Sequence, residues 1–87
     1  EKLSLKQNYP NPFNPETSIY WTMPNSGSVQ LEIYNLKGQL VNVLFSGYKT
    51  LGTHEIIWNA LGHSSGVYFY RLTINETVLQ KKMILLR

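Results

Sequence analysis

With 87 residues, 43% of them apolar and 13% aromatic, the chain is bounded to one small globular domain and is too rich in core-forming side chains for a disordered tail. It has no cysteine, which excludes a disulfide framework and a thiolate metal site and leaves aromatic and aliphatic packing to supply the stability. The formal charge of +3 arises from eight Lys and Arg against five Glu and no Asp, scattered except at Lys81, Lys82 and Arg87, a footprint too sparse for a nucleic-acid binder.

The chain starts at Glu1 rather than methionine, without an apolar leader or a membrane-length run, and reads as a piece of a longer protein. Residues 1–7 read as the end of a linker from an upstream domain. The stretch "NYPNPFNPET", Asn8 to Thr17, then sets Pro10, Pro12 and Pro15 among asparagines. Proline fixes φ and disfavours helix in the residue before it, so an extended segment with sharp bends is expected. Asn11 and Asn14 are expected to cap those bends through their side chains. Tyr9 and Phe13 are expected to act as anchors inserted at the end of a fold, which makes the segment a clasp rather than a linker.

Period-two alternation follows, and it predicts strands. In "SIYWTMP", Ile19, Trp21 and Met23 share one face, and Pro24 ends the run because it cannot donate to a ladder. "SVQLEIYN" places Val29, Leu31 and Ile33 on a core face. "NLKGQ" supplies a turn in which Gly38 is free to take positive φ. "LVNVLF", Leu40 to Phe45, alternates less cleanly, as a strand covered on both faces would, and "SGYKTLGT" reads as a loop holding Gly47 and Gly52. "HEIIWN" points His54, Ile56 and Trp58 inward. "VYFYRL" points Tyr68, Tyr70 and Leu72 inward, with Phe69 and Arg71 outward. "INET" turns the chain near Asn75 into "VLQKKMILL".

Six or seven short strands with turn signals every eight to twelve residues argue for an all-β, immunoglobulin-like antiparallel β-sandwich of about seven strands, occupying residues 1–87 as a single domain. Tyr68 stands two positions after Gly66, the arrangement of a tyrosine corner, in which the phenol bonds back to the preceding connection. The plainer alternative is a large core aromatic, and the sequence leaves both open.

Chemistry is thinly represented. Glu1, Glu16, Glu32, Glu55 and Glu76 all fall at polar or strand-exterior positions, unlike a catalytic carboxylate pair. His54 and His63 lack the ligands that would complete a metal site. Ser64 and Ser65 lie beside His63 without an orienting third group. No catalytic, cofactor-binding or metal-ligating residue is therefore assigned, and no enzymatic activity is expected. Tyr20, Tyr34 and Phe69 lie opposite the expected core and raise an alternative, a carbohydrate-binding or adhesive module, since flat aromatics stack on sugars. The final "QKKMILLR" is an apolar strand with Lys81 and Lys82 at its start and Arg87 at its end. Such lysines block unwanted edge pairing, or they border an edge on which a partner docks by strand addition.

The pieces "NYPNPFNPET–SIYWTMP", "VQLEIYNLKGQLV", "GTHEIIWNA", "SSGVYFYRL" and "KKMILLR", in this order and spacing, resemble the type A C-terminal sorting domain of the type IX secretion system. That family is related in fold to the immunoglobulin-like module of flagellar hook-capping proteins, and the resemblance covers residues 5 to 87. It implies a non-enzymatic secretion signal at the C-terminus of large exported proteins of Bacteroidetes and relatives. Such proteins cross the periplasm and reach the cell surface or the medium. The implied partners are the outer-membrane translocon, its shuttle proteins, a linked upstream cargo and, in many members, a sortase-like peptidase that removes the domain.

Carried onto this chain, the family's opening motif falls on Tyr9, Pro10, Asn11, Pro12, Phe13, Asn14 and Pro15. Its turn glycine is Gly38, its Trp-containing strand carries Trp58, and its glycine–tyrosine motif is Gly66 and Tyr68. The terminal motif, implied to be what the translocon recognises, is Lys81, Lys82, Met83, Leu85, Leu86 and Arg87. Asn59 follows Trp58 where the family commonly has aspartate, which removes a carboxylate from the next loop. The junction with the cargo falls at or before Glu1.

Overall fold

Alternation in the sequence becomes alternation in burial. In the computed structural model, which describes residues 2–87 and so leaves the expected cargo junction outside it, seven strands and no helix are formed. They are β1 (Ser4–Leu5), β2 (Glu16–Met23), β3 (Gly27–Asn35), β4 (Leu40–Lys49), β5 (Gly52–Asn59), β6 (Gly66–Ile74) and β7 (Thr77–Leu85). Two antiparallel sheets, β1-β2-β5 and β4-β3-β6-β7, pack face to face as the expected immunoglobulin-like sandwich.

The inner faces are those the periodicity predicted. Ile19, Trp21 and Met23 of β2 meet Val29, Leu31 and Ile33 of β3, Tyr68, Tyr70 and Leu72 of β6, and Met83 and Leu85 of β7, all buried. Each such aliphatic side chain contributes roughly 1.5–3 kcal/mol by leaving water. β1 was not predicted because two residues are too short to show a period. Ser4 and Leu5 pair with Thr22 and Trp21, so these residues of the expected linker belong to the three-stranded sheet, and Leu5 is buried.

The fourth strand departs from expectation twice. It runs on through Ser46–Lys49, residues read as loop, and it is covered on one face only. Leu44 and Val41 are extra residues at two irregularities in the β3–β4 register. Each bulge resets which face the next side chain takes, so half-buried Val41–Asn42 and Leu44–Phe45 alternate with exposed Leu40, Val43 and Ser46. The blurred pattern reflects a bulged edge strand and not a doubly covered one. Bulges of this kind also discourage edge-to-edge pairing.

The sandwich has distinct ends. β6 starts at Gly66 near the chain's final residues and finishes at Ile74, and Leu3 lies at that far end beside Met23, Ile74 and Thr77. Leu3 and Arg87, which contacts His63 and Ser65, therefore sit at opposite ends of the domain.

Candidate functional site

β7 is an edge strand, so one side of its backbone has no ladder partner. The proline-rich segment covers part of that side. Phe13 N–H donates to Ile84 C=O (3.0 Å), and Leu86 N–H donates to Phe13 C=O (3.0 Å), a short parallel bridge to Leu85. Asn11 Oδ1 accepts from Ile84 N–H (3.0 Å), and Gln7 Nε2 donates to Lys82 C=O (2.8 Å). The peptide bonds before Pro10, Pro12 and Pro15 are cis, and the segment bends at each. Asn11 therefore secures the last strand rather than capping a local bend as expected.

Anchoring falls to one aromatic, not two. Phe13 is buried, with its ring 5.8 Å from that of Trp58. Tyr9 is 74% exposed, contrary to its expected role as an anchor. Its backbone is the part that works, exchanging N–H···O bonds with Ser18 and starting β2's pairing early, which turns its side chain outward.

Beneath the clasp lies a buried polar hub that sequence reasoning missed. Tyr70 Oη donates to Lys6 C=O (2.7 Å) and accepts from Asn8 N–H (2.8 Å). Asn8 Nδ2 donates to Thr17 Oγ1 (2.9 Å), which in turn donates to Pro10 C=O (2.8 Å). Asn8 and Thr17 are both buried, so these bonds satisfy groups that would otherwise be costly to desolvate. Signals were present: Thr17 falls in phase with Ile19, Trp21 and Met23, and a core tyrosine needs a partner for its hydroxyl. Burial pushes the Tyr70 phenol up to about 12, against the opposing effect of the Asn8 N–H.

The terminal motif divides by burial. Met83 and Leu85 are core residues on the inner face, and Lys81 is half-buried on that same face. Lys82, Leu86 and Arg87 are exposed. Arg87 is nonetheless ordered by the loop after β5: its N–H donates to Ser65 Oγ (2.8 Å) and its guanidinium to His63 C=O. That loop is pinned by a tyrosine corner, Tyr68 Oη to Ser64 C=O (2.8 Å), which settles the alternative the sequence left open. The Trp58 ring packs against Phe13, His63 and Tyr68, so clasp, loop and corner share one aromatic cluster.

Gly38 closes the β3–β4 turn with φ of 83°, where a Cβ would be strained. Asn35 Oδ1 accepts from the N–H groups of Lys37 (3.0 Å) and Gln39 (2.9 Å) and rigidifies that turn. The aromatics considered for sugar stacking do not form one platform. Tyr20 is on the three-stranded sheet, while Tyr34 and Phe69 are paired on the other. All three are half-buried. Arg71 covers the Tyr34 ring at 4.3 Å, and Tyr34 Oη is bonded to Glu32 (2.8 Å).

Compared with known families, the chain matches the model described as a secretion system C-terminal sorting domain, over residues 7–86. No curated protein and no solved structure matches it. The matched span begins at Gln7, at the start of the clasp, and ends at Leu86, the residue the clasp binds last.

Replacing Phe13 by Ala should cost roughly 3 kcal/mol or more in urea unfolding, because a buried aromatic and the seal over β7 are lost together. An unchanged midpoint would remove Phe13 from the core. Tyr70→Phe should cost about 1–3 kcal/mol at pH 7 by leaving the Asn8 N–H and the Lys6 carbonyl unpaired. Tyr70 also gives a pH signature. Its phenol holds its proton more tightly folded than unfolded, so this contribution is whole below pH 10 and is lost as pH rises toward about 12. The wild type should therefore lose roughly 2–3 kcal/mol more than Tyr70→Phe across that interval. Parallel stability profiles would contradict the assignment.

Proposed function

Because the chain belongs to the family of secretion system C-terminal sorting domains, we propose that it directs an upstream cargo protein through the type IX translocon across the outer membrane, with the end of β7 as the recognised element. The family is one of secretion signals and implies export to the cell surface or the medium. The observation that carries the reading is the division of the terminal motif. Met83 and Leu85 fasten the strand inside the sandwich, so Lys82, Leu86 and Arg87 project from a fixed frame.

In this mechanism the translocon and its shuttle proteins bind a folded ligand, so little ordering entropy is lost on recognition. Cargo leaves from the Leu3 end, away from Arg87, and does not obstruct the recognised end. A sortase-like peptidase cutting upstream of Leu3 would act away from Arg87 and leave the bound end undisturbed.

Residues 1–87 fused to a periplasmic reporter in a type IX-competent host should bring the reporter to the surface or the medium. Leu86→Asp combined with Arg87→Glu should abolish that export, with a melting temperature within a few degrees of wild type because both side chains are exposed. Periplasmic retention of the wild-type fusion despite a folded domain would overturn the proposal.

A further inference from the structure

Three pieces of chain meet at the end of the sandwich from which Leu86 and Arg87 emerge. One is the Asn35–Gln39 turn, held by the two Asn35 side-chain bonds and by Gly38 N–H to Asn35 C=O (2.9 Å). Another is the loop from Leu61 to Ser65, held by Tyr68 and by His63 N–H to Ala60 C=O (3.0 Å). The last is the chain end itself, bonded through Arg87 to His63 and Ser65. Between the turn and the loop is a cavity of about 270 Å³ that runs from Leu36 and Lys37 to Ser64 and Ser65.

Each of the three segments carries an exposed leucine. Leu36 is 69% exposed, Leu61 71% and Leu86 55%, each on an element whose backbone is fixed by hydrogen bonds. Single exposed leucines are ordinary, but here Leu36 lines the hollow while Leu61 and Leu86 stand on the other two segments that meet at this end. Apolar side chains held on rigid segments at one end are the kind of surface that marks an interaction site. The charge is one-sided as well. Lys37 lines the cavity, Arg87 lies beside it on Ser65, and among the described residues no side-chain carboxylate lines it. Glu16, at the same end, is on the three-stranded sheet and is engaged by Asn59 (3.2 Å). Arg87 gives its guanidinium to the neutral His63 carbonyl and not to a side-chain carboxylate.

We propose that the secretion machinery reads this end as one composite surface: the Leu36–Lys37 turn and the Leu61–Ser65 loop together with Leu86 and Arg87. The partner it fits is a protein face that offers an apolar seat for Leu36 and Leu86, bordered by carboxylates that meet Lys37 and Arg87. This rests on the end of β7 being the recognised element, and extends recognition to residues that are distant in sequence and have no part in the terminal motif. An apolar centre with charges at its rim is how specific protein interfaces divide affinity from steering.

The test uses the same reporter fusion of residues 1–87. Leu36→Asp and Lys37→Glu are made separately, beside Val43→Asp on the exposed side of β4 as a control. Each is accompanied by a melting temperature. Leu36→Asp should reduce export about tenfold or more, as removal of one central apolar contact does, and Lys37→Glu should reduce it less. Val43→Asp should export normally. Lys37→Glu, which alters charge on an exposed turn, keeps the test decisive if Leu36→Asp lowers the melting temperature. Normal export of both turn variants, while Leu86→Asp with Arg87→Glu blocks it, would overturn the composite surface and leave the sorting function standing. Equal loss in Val43→Asp would overturn it too, by showing that any exposed charge change suffices. If the Leu86 and Arg87 variant is itself exported, the sorting reading fails first.

Discussion

Everything at the candidate site depends on how the open side of β7 is closed. A strand at the edge of a sheet presents N–H and C=O groups with no partner, and β7 would present them along its whole length. Instead the clasp reaches across from the start of the chain and takes Ile84 N–H, Ile84 C=O, Leu86 N–H and Lys82 C=O. These bonds fix where the strand stops and where Leu86 and Arg87 leave it. They hold because Phe13 is locked into the aromatic cluster of Trp58, and because the hub around Tyr70 fastens Lys6, Asn8 and Pro10 beneath. The first and last segments of the domain thus form one structural unit, and the end of β7 proposed for recognition is tied to a segment more than seventy residues earlier.

This arrangement also divides labour within the terminal motif. An apolar strand with basic ends looks like a linear peptide that a receptor could read residue by residue. Folding withdraws Met83 and Leu85 from any receptor and leaves Lys82, Leu86 and Arg87 on view. The apolar residues specify register, since a slip by one residue would turn the buried set outward. The exposed ones then stand at fixed positions relative to the Asn35–Gln39 turn and the loop around His63. On the proposed reading, a receptor for this end would meet a shape instead of a string.

Much of the fold was legible because alternation is a local property. Ile19, Trp21 and Met23, or Tyr68, Tyr70 and Leu72, declare their face without reference to the rest of the chain. β4 was misread because its bulges change the period in a way that only its partner β3 reveals. The clasp was legible as rigid, yet not in what it clasps, since a bond from Asn11 to Ile84 joins residues no local pattern connects. The same limit explains Tyr9 and Phe13. Both are aromatics in one proline-rich motif, but only Phe13 faces Trp58, while Tyr9 lies where the backbone already pairs with Ser18. Sequence reading placed the clasp and the end proposed for recognition apart, and the structure brings them into contact.

Amide hydrogen exchange along β7 tests that contact most directly. The N–H groups of Ile84 and Leu86 face the clasp and are bonded to it. By the two-residue alternation, the N–H groups of Val78 and Gln80 point to the same side, beyond its reach. The seal predicts slow exchange at Ile84 and Leu86 and fast exchange at Val78 and Gln80, with Phe13→Ala speeding the first pair toward the second. Exchange at Ile84 and Leu86 as fast as at Val78 in the intact domain would contradict the account.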